Sequence, residues 1–368
     1  MKHLLVYLLL LSLSPVHAQQ VDFKHYNGRL SVGTQENRTA STTLFDIDQD
    51  GDLDALVANG RHWAEQNYIY YNNGQGSFKS GQPIAHFLDA SYAIKAGDFN
   101  RDGINDLAVA NDKTDNLIYL GKENKEFILH GSFGDNLGPS RNLEVGDVDG
   151  DGDLDLILSN RRAKNEICLN DGQGNFSEIK YFGDKTKQSI QTRIVDINKD
   201  GYPDLVSANR KAKNEIFINK GNLEFEVIEF GEDESVSRSI EIADMNRDGF
   251  LDIVTGNLNG NNTINFGDKD HRYNEVIVLP EMNTTYSLRV ADMNNDNILD
   301  LIEGNSEQAN YVYLGASDGT YTTIVLGKDA LFDTYNIEIG DIDGNGYLDI
   351  LESNSGELNY YHLTKEKK

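Results

Sequence analysis

The apolar and polar positions of residues 140–183 fall into four short runs. "RNLEVGD" (141–147) alternates, "LDLILSN" (154–160) is apolar almost throughout, "NEICLND" (165–171) alternates again, and "SEIKYFG" (177–183) follows the glycine turn "GQGNF" (172–176). Runs of this length with a period of two and turn residues between them predict β-strands, and no stretch of the unit carries the 3.6-residue period of an amphipathic helix. The pattern therefore predicts four antiparallel strands, the second of them buried on both faces.

The same unit recurs along the chain. Its clearest marker is an acidic nonapeptide between the first two strands: "DIDQDGDLD" at 46, "DFNRDGIND" at 98, "DVDGDGDLD" at 147, "DINKDGYPD" at 196, "DMNRDGFLD" at 244, "DMNNDNILD" at 292 and "DIDGNGYLD" at 341. Spacings of 52, 49, 49, 48, 48 and 49 residues hold one register through seven copies. A Ser or Thr stands seven residues before each first Asp (Thr39, Ser91, Ser140, Ser189, Ser237, Thr285, Thr334), and an Asn thirteen after it (Asn59, Asn111, Asn160, Asn209, Asn257, Asn305, Asn354). Four strands per unit, repeated seven times, predict an all-β fold: a seven-bladed β-propeller with four antiparallel strands per blade. The segments before the first motif and after the last, 19–45 and 341–368, together have the length of one unit. The expectation is a ring closed by N- and C-terminal segments that share one blade, leaving no frayed edge.

The nonapeptides put oxygen-bearing side chains at positions 1, 3, 5 and 9 and a glycine at position 6, the donor set and turn residue that suit a hard cation such as Ca²⁺. The candidate ligands are Asp46, Asp48, Asp50 and Asp54 in the first loop, Asp98, Asn100, Asp102 and Asp106 in the second, and Asp147, Asp149, Asp151 and Asp155 in the third. The fourth and fifth loops offer Asp196, Asn198, Asp200, Asp204 and Asp244, Asn246, Asp248, Asp252. The sixth and seventh offer Asp292, Asn294, Asp296, Asp300 and Asp341, Asp343, Asn345, Asp349. Asn297 replaces the glycine in the sixth loop, and Asn is the next best residue for positive φ. Seven equivalent, protein-saturated sites read as structural, because a catalytic ion keeps a coordination position open.

Composition supports a cationic partner. Sixty acidic against 33 basic residues give a net charge of −27, which opposes binding to nucleic acid or an anionic membrane, while 38% hydrophobic residues still supply a core. Seven Ca²⁺ ions would offset about half of that charge. Lys2, the apolar run "LLVYLLLLSLS" and "VHA" at 16–18 predict a signal peptide over residues 1–18, an exported protein in the periplasm or outside the cell, and a propeller domain over 19–368. No later stretch is long enough for a membrane span, Cys168 has no disulfide partner in the chain, and a monomer is expected.

With its "DxDxDG" loops, segments such as "NYIYYNNGQGSF" (67–78) and "FG" pairs at Phe133, Phe182 and Phe230, the chain resembles the FG-GAP or VCBS-repeat family, calcium-loop propellers related to the integrin α-subunit head. The resemblance covers the whole chain after the leader. It implies bound calcium and a ligand surface at the end of the ring opposite the loops. Related calcium propellers include polysaccharide lyases and a sugar dehydratase, along with lectin and adhesion modules.

At that opposite end the copies stop agreeing. The residue after each Ser/Thr marker is Ala40, Tyr92, Arg141, Ile190, Arg238, Tyr286 and Tyr335 in turn. The loops between second and third strands add "NRRAKN" (160–165) and "NRKAKN" (209–214), which bring Arg161, Arg162, Lys164, Arg210, Lys211 and Lys213 to neighbouring blades. In the first blade this loop is enlarged: Asn59 and Asn67 stand eight positions apart, against five in every other copy, and enclose Arg61, His62 and the only tryptophan, Trp63. A basic and aromatic mouth on an acidic protein suits an acidic oligosaccharide, with Arg61, Trp63, Arg141, Arg161, Arg162, Arg210 and Arg238 as binding residues. His62, Tyr92, Tyr286 and Tyr335 are the candidate acid–base groups of a carbon–oxygen lyase, either a polysaccharide lyase or a sugar dehydratase. The other reading is a non-catalytic, calcium-stabilised glycan-binding or adhesion module.

Overall fold

The computed structural model describes residues 21–24, 30–78, 80–135, 138–279, 282–327 and 331–367; the leader at 1–18 lies outside them. Seven antiparallel sheets form the ring, and no helix occurs among the described residues. Blade 3 consists of Ser140–Gly146, Asp155–Asn160, Asn165–Leu169 and Glu178–Phe182, the four strands its apolar pattern predicts. All six residues of the second strand are buried in every blade, while outermost strands such as Phe127–Phe133 are largely exposed. Apolar clusters fill the wedges between blades: Phe99 and Phe133 of blade 2 meet Leu143, Cys168 and Phe176 of blade 3. Burial pushes the Cys168 thiol well above its ordinary range, so it serves as packing.

The ring closes on one shared blade. Val21–Lys24 supplies its outermost strand, paired antiparallel with Asn359–Glu366, and Ser31–Val32 pairs with the other end of that same strand. The N-terminal share is narrower than residues 19–45, because Thr39–Phe45 is the innermost strand of blade 1. The seam is hydrogen-bonded as well as packed: Asn359 Nδ2 donates to Thr39 Oγ1 at 3.0 Å and Ser353 Oγ to Thr42 Oγ1 at 2.8 Å.

The repeated Ser/Thr and Asn markers form a buried belt. Each Ser/Thr hydroxyl donates to the marker Asn of its own blade, at 2.7 to 3.1 Å, from Thr39–Asn59 round to Thr334–Asn354. The Asn that opens the third strand accepts the backbone N–H of the marker Asn, as Asn165 does for Asn160, and in every blade but the fourth bonds on to the marker hydroxyl of the next, as where Asn165 Nδ2 donates to Ser189 Oγ at 2.9 Å. Fully paired buried polar groups of this kind fix the orientation of each blade against the next.

One irregularity recurs in all seven innermost strands. The pairing register shifts between the Ser/Thr marker and the residue two after it, so the residue between is a β-bulge. Strict alternation would send the first and second residues after the marker to opposite faces. The bulge turns both into the central channel, and the bulged residue is the one that differs from blade to blade.

Candidate functional site

In every acidic loop the ninth-position aspartate is buried and both of its oxygens accept backbone N–H groups. One bond comes from loop position 2 and the other from the end of the third strand; for Asp155 the donors are Val148 at 3.0 Å and Asn170 at 2.9 Å. Burial, with the neighbouring carboxylates adding to it, raises Asp54, Asp300 and Asp349 to about 7. Asp106 and Asp155 rise to about 6, and Asp204 and Asp252 also move up, for the same reason. First-position aspartates fold the loops: Asp196 accepts the N–H groups of Asp200 at 3.0 Å and Gly201 at 2.9 Å. Position 6 has positive φ throughout, at +64° for Asn297 and +89° for Gly152.

These loops fit a hard cation unequally. Three carboxylates converge, with ligand atoms within 4.8 Å of one another, in the first loop (Asp46, Asp48, Asp50), the third (Asp147, Asp149, Asp155) and the seventh (Asp341, Asp343, Asp349). Asp48 Oδ1 and Asp343 Oδ1 are buried without a hydrogen-bond partner, the condition of an oxygen that a metal would satisfy. In the second, fourth, fifth and sixth loops the third position is Asn, whose amide donates to the fifth-position Asp at 2.9 to 3.1 Å.

At the other end all seven bulged residues line one central channel of about 80 Å³. Below them comes a polar layer that stitches neighbouring blades, in which Gln191 Oε1 accepts Ile240 N–H at 2.6 Å and Ser287 Oγ accepts Ile337 N–H at 3.0 Å. Four residues after each marker lies a ring of alternating charge: Lys95, Glu144, Arg193, Glu241, Arg289 and Glu338, with Thr43 in the seventh place. Glu144 faces Lys95 at 3.8 Å and Arg193 at 2.6 Å; Glu241 pairs with Arg193 and with Arg289, at 2.9 Å for the latter; and Arg289 reaches Glu338 at 2.7 Å. An odd ring cannot alternate completely. Thr43 takes the leftover place and donates to Ile94 O at 2.7 Å instead.

The enlarged loop of blade 1 lies across the rim and reaches both neighbouring blades. Gly60 makes its turn at φ +102°, where a Cβ would sit 2.1 Å from the Trp63 carbonyl oxygen. Toward blade 7, Arg61 stacks on the Tyr335 ring at 3.7 Å, donates to Ser355 Oγ at 2.6 Å and lies 3.9 Å from Asp333. Toward blade 2, His62 Nδ1 lies 2.6 Å from Asp112 Oδ2 while its Nε2 lies 3.2 Å from the Tyr92 hydroxyl. The other Asp112 oxygen accepts from Arg141 Nη1 at 2.9 Å, and the Arg141 guanidinium lies over the Tyr92 ring at 4.2 Å. Burial would raise the Asp112 carboxyl, but His62 and Arg141 outweigh it and hold the group below its ordinary range. A carboxylate so placed fixes a proton on Nδ1 and leaves Nε2 free to accept the Tyr92 proton.

The mouth thus brings together His62, Tyr92 and Arg141 on one side and Arg61, Tyr335, Tyr286 and Arg238 on the other. Tyr286 and Tyr335 pack with ring centroids 4.3 Å apart, and Arg238 lies over both, at 4.5 and 5.5 Å. Arg161 joins from blade 3: burial and the charges of Arg210, Arg141 and Arg162 hold its guanidinium below its ordinary basicity. Arg162, Lys164 and Lys211 are exposed, and Trp63 stands on the rim, 56% exposed, with Arg38 over its ring at 4.8 Å. Asp112 is absent from the sequence-based candidates. The signal for it is positional: the residue after each marker Asn reads Gly60, Asp112, Arg161, Arg210, Leu258, Ser306 and Ser355, with a single acid among them.

Fold and loops define a seven-bladed β-propeller with an acidic loop in every blade. FG-GAP-like repeats match residues 46–109, 98–158, 147–207, 196–255, 244–303 and 292–352, each match starting at the first aspartate of a loop, and the chain belongs to this repeat family. No curated protein matches the chain. Among solved structures it is similar to BBS1N in complex with ARL6DN soaked with mercury, at TM-score 0.61 and 15% identity over 91% of this chain and 96% of that one. The lead-soaked form of that complex gives TM-score 0.60 and 14% identity, covering 90% of this chain and 94% of that chain. Chaetomium thermophilum Raptor gives TM-score 0.59 and 10% identity over 92% of this chain and 29% of that one. At these identities the likeness is one of fold.

Proposed function

We propose that this protein is an exported, calcium-stabilised propeller that binds uronate-containing oligosaccharides at its mouth and cleaves or dehydrates them by elimination. The observation that carries the reading is the Asp112–His62–Tyr92 chain, ending in a phenol at a channel lined with arginines. An arginine neutralises the uronate carboxylate, which acidifies the carbon-bound proton next to it. Tyr92 oxygen takes that proton while its own passes to His62 Nε2, and Asp112 stabilises the imidazolium that results. The carbon–oxygen bond at the adjacent carbon breaks, a carbon–carbon double bond forms, and the departing oxygen receives the proton returned by His62 through Tyr92. Calcium in the acidic loops holds the opposite end of the ring and takes no part in these steps.

Incubation with a panel of acidic oligosaccharides, read by mass and by ultraviolet absorbance, tests the proposal. A new double bond or the loss of one water supports it, and separates lyase from dehydratase. A wild-type protein that turns over no member of the panel while binding several would be a glycan-binding module. The channel favours that second reading in one respect, since about 80 Å³ is well below the roughly 300 Å³ at which ligand pockets begin, and most of a sugar would have to lie on the rim.

A further inference from the structure

Among the described residues, every cation on the channel wall has a carboxylate partner except one. Lys95, Arg193 and Arg289 belong to the alternating ring, and Arg141 is bound to Asp112. Among the described residues Arg238 makes no ion pair and no hydrogen bond; its contacts are with the faces of Tyr286 and Tyr335. Its Nε is buried and unpartnered, and burial holds its guanidinium below ordinary basicity, with the neighbouring tyrosines opposing the effect and Arg141 adding to it. Arg61, over the Tyr335 ring at 3.7 Å, is already engaged by Ser355 Oγ and lies near Asp333, and it is not part of the channel wall. Tyr335 donates its hydroxyl proton to Tyr286 at 3.4 Å, which leaves the Tyr286 proton free for another acceptor.

We propose that Arg238 and the Tyr286 hydroxyl form a subsite for one small anionic group, a carboxylate or a tetrahedral oxyanion. A half-buried guanidinium with its Nε buried and unpaired is costly, and an anion bound there recovers that cost through charge-assisted hydrogen bonds in a partly dehydrated place. The space sets the size of the group. About 80 Å³ holds a carboxylate, sulfate or phosphate but not a sugar ring, and the alternating ion pairs stand farther along the same channel. This deepens the reading of the mouth as an acidic-ligand site, because it assigns the acidic group to Arg238 rather than to Arg141, whose charge Asp112 already offsets. It does not depend on turnover.

Isothermal titration and thermal melting with sodium acetate, sulfate and phosphate, each against chloride at equal ionic strength, test the subsite directly. Wild type should bind at least one of these at a single site, and the order of affinity tells a carboxylate subsite from a sulfate or phosphate one. Arg238→Met should weaken that binding at least tenfold, Tyr286→Phe by a few fold, and Lys122→Ala, in a turn between outer strands, not at all. Should Arg238→Met lose its wild-type melting curve, Tyr286→Phe and Arg238→Lys decide the matter by the same titration. Anion binding that is absent in wild type, unchanged in these variants or equal for chloride overturns the subsite. Loss of turnover in Tyr92→Phe with anion binding intact bears on the elimination chemistry alone, so the two proposals fail separately.

Discussion

At the loop end the ninth position is aspartate in all seven blades and accepts backbone N–H groups from the same two places each time, whereas at the mouth the bulged position is Ala, Tyr, Arg, Ile, Arg, Tyr and Tyr in turn. The difference lies in what each position must do. A loop aspartate solves a local problem, closing a turn and tying it to the third strand, and the problem is identical in every blade. A bulged residue carries no such duty, because the buried belt of Ser/Thr and Asn markers already orients the blade. It is therefore free to differ, and seven side chains of four kinds meet around one axis to make a single asymmetric site.

If the loop end is the structural one and holds calcium as proposed, removing that metal should have the largest effect of any perturbation. Chelation is expected to lower the melting temperature cooperatively, with a defined pH dependence. Asp54, Asp300 and Asp349 lie at about 7 in the metal-free fold against 3.8 in an unfolded chain. Their contribution to stability is then complete below about pH 4 and is lost as pH rises through 7. In chelator the protein should melt higher at pH 5 than at pH 8, and added calcium, which binds the ionised carboxylates, should raise the pH 8 value more. Identical melting at both pH values, or indifference to calcium, breaks the comparison at its first step.

A change at one candidate ligand comes next. Asp155→Ala deprives the Val148 and Asn170 N–H groups of their acceptor, at about 1–3 kcal/mol for each buried donor, in addition to any metal lost. The exposed Asp135, in a connecting loop, should tolerate the same change within about 0.5 kcal/mol. Chemical denaturation of the two variants gives both numbers.

Most of the architecture was legible because repetition averages out local ambiguity. One alternating run proves little, but seven in register fix strand number, blade number and closure, and the loop glycines and asparagines carry their own backbone reasons. The mouth was legible only in part. Tyr92, Arg141, Arg238, Tyr286 and Tyr335 could be placed together because they share one offset from a repeated marker. Asp112 was missed because it belongs to a different offset, and nothing in sequence tells that the enlarged blade 1 loop bends far enough for His62 to reach it. The bulges were likewise invisible: they change no residue type, only which face a residue takes.

At the mouth the comparison predicts loss of function without loss of fold. Tyr92→Phe keeps the ring under Arg141 and removes the hydroxyl, and His62→Ala removes the proton acceptor. Each should lower turnover of an acidic oligosaccharide by about a hundred- to ten-thousand-fold while melting stays near wild type. Asp112→Asn should lower kcat and alter the pH profile through His62, and should also change KM because it frees the Arg141 guanidinium. Variants that melt far below wild type would show instead that the mouth is part of the scaffold.

The smallest expected effect falls between the two ends, at Thr43. Its neighbours in the ring of alternating charge are Glu338 of blade 7 and Lys95 of blade 2, so a charge of either sign placed there meets one like and one unlike neighbour. The Coulomb terms largely cancel and the cost of dehydrating the new charge remains. Thr43→Glu and Thr43→Lys should therefore both destabilise, by similar amounts of about 1–2 kcal/mol, and both lose the Thr43 bond to Ile94 O. Thr43→Val, which loses only that bond, should cost less than either. If one sign stabilises while the other destabilises, the ring does not act as a closed alternating circuit, and the neutral seam beside the shared blade has another cause.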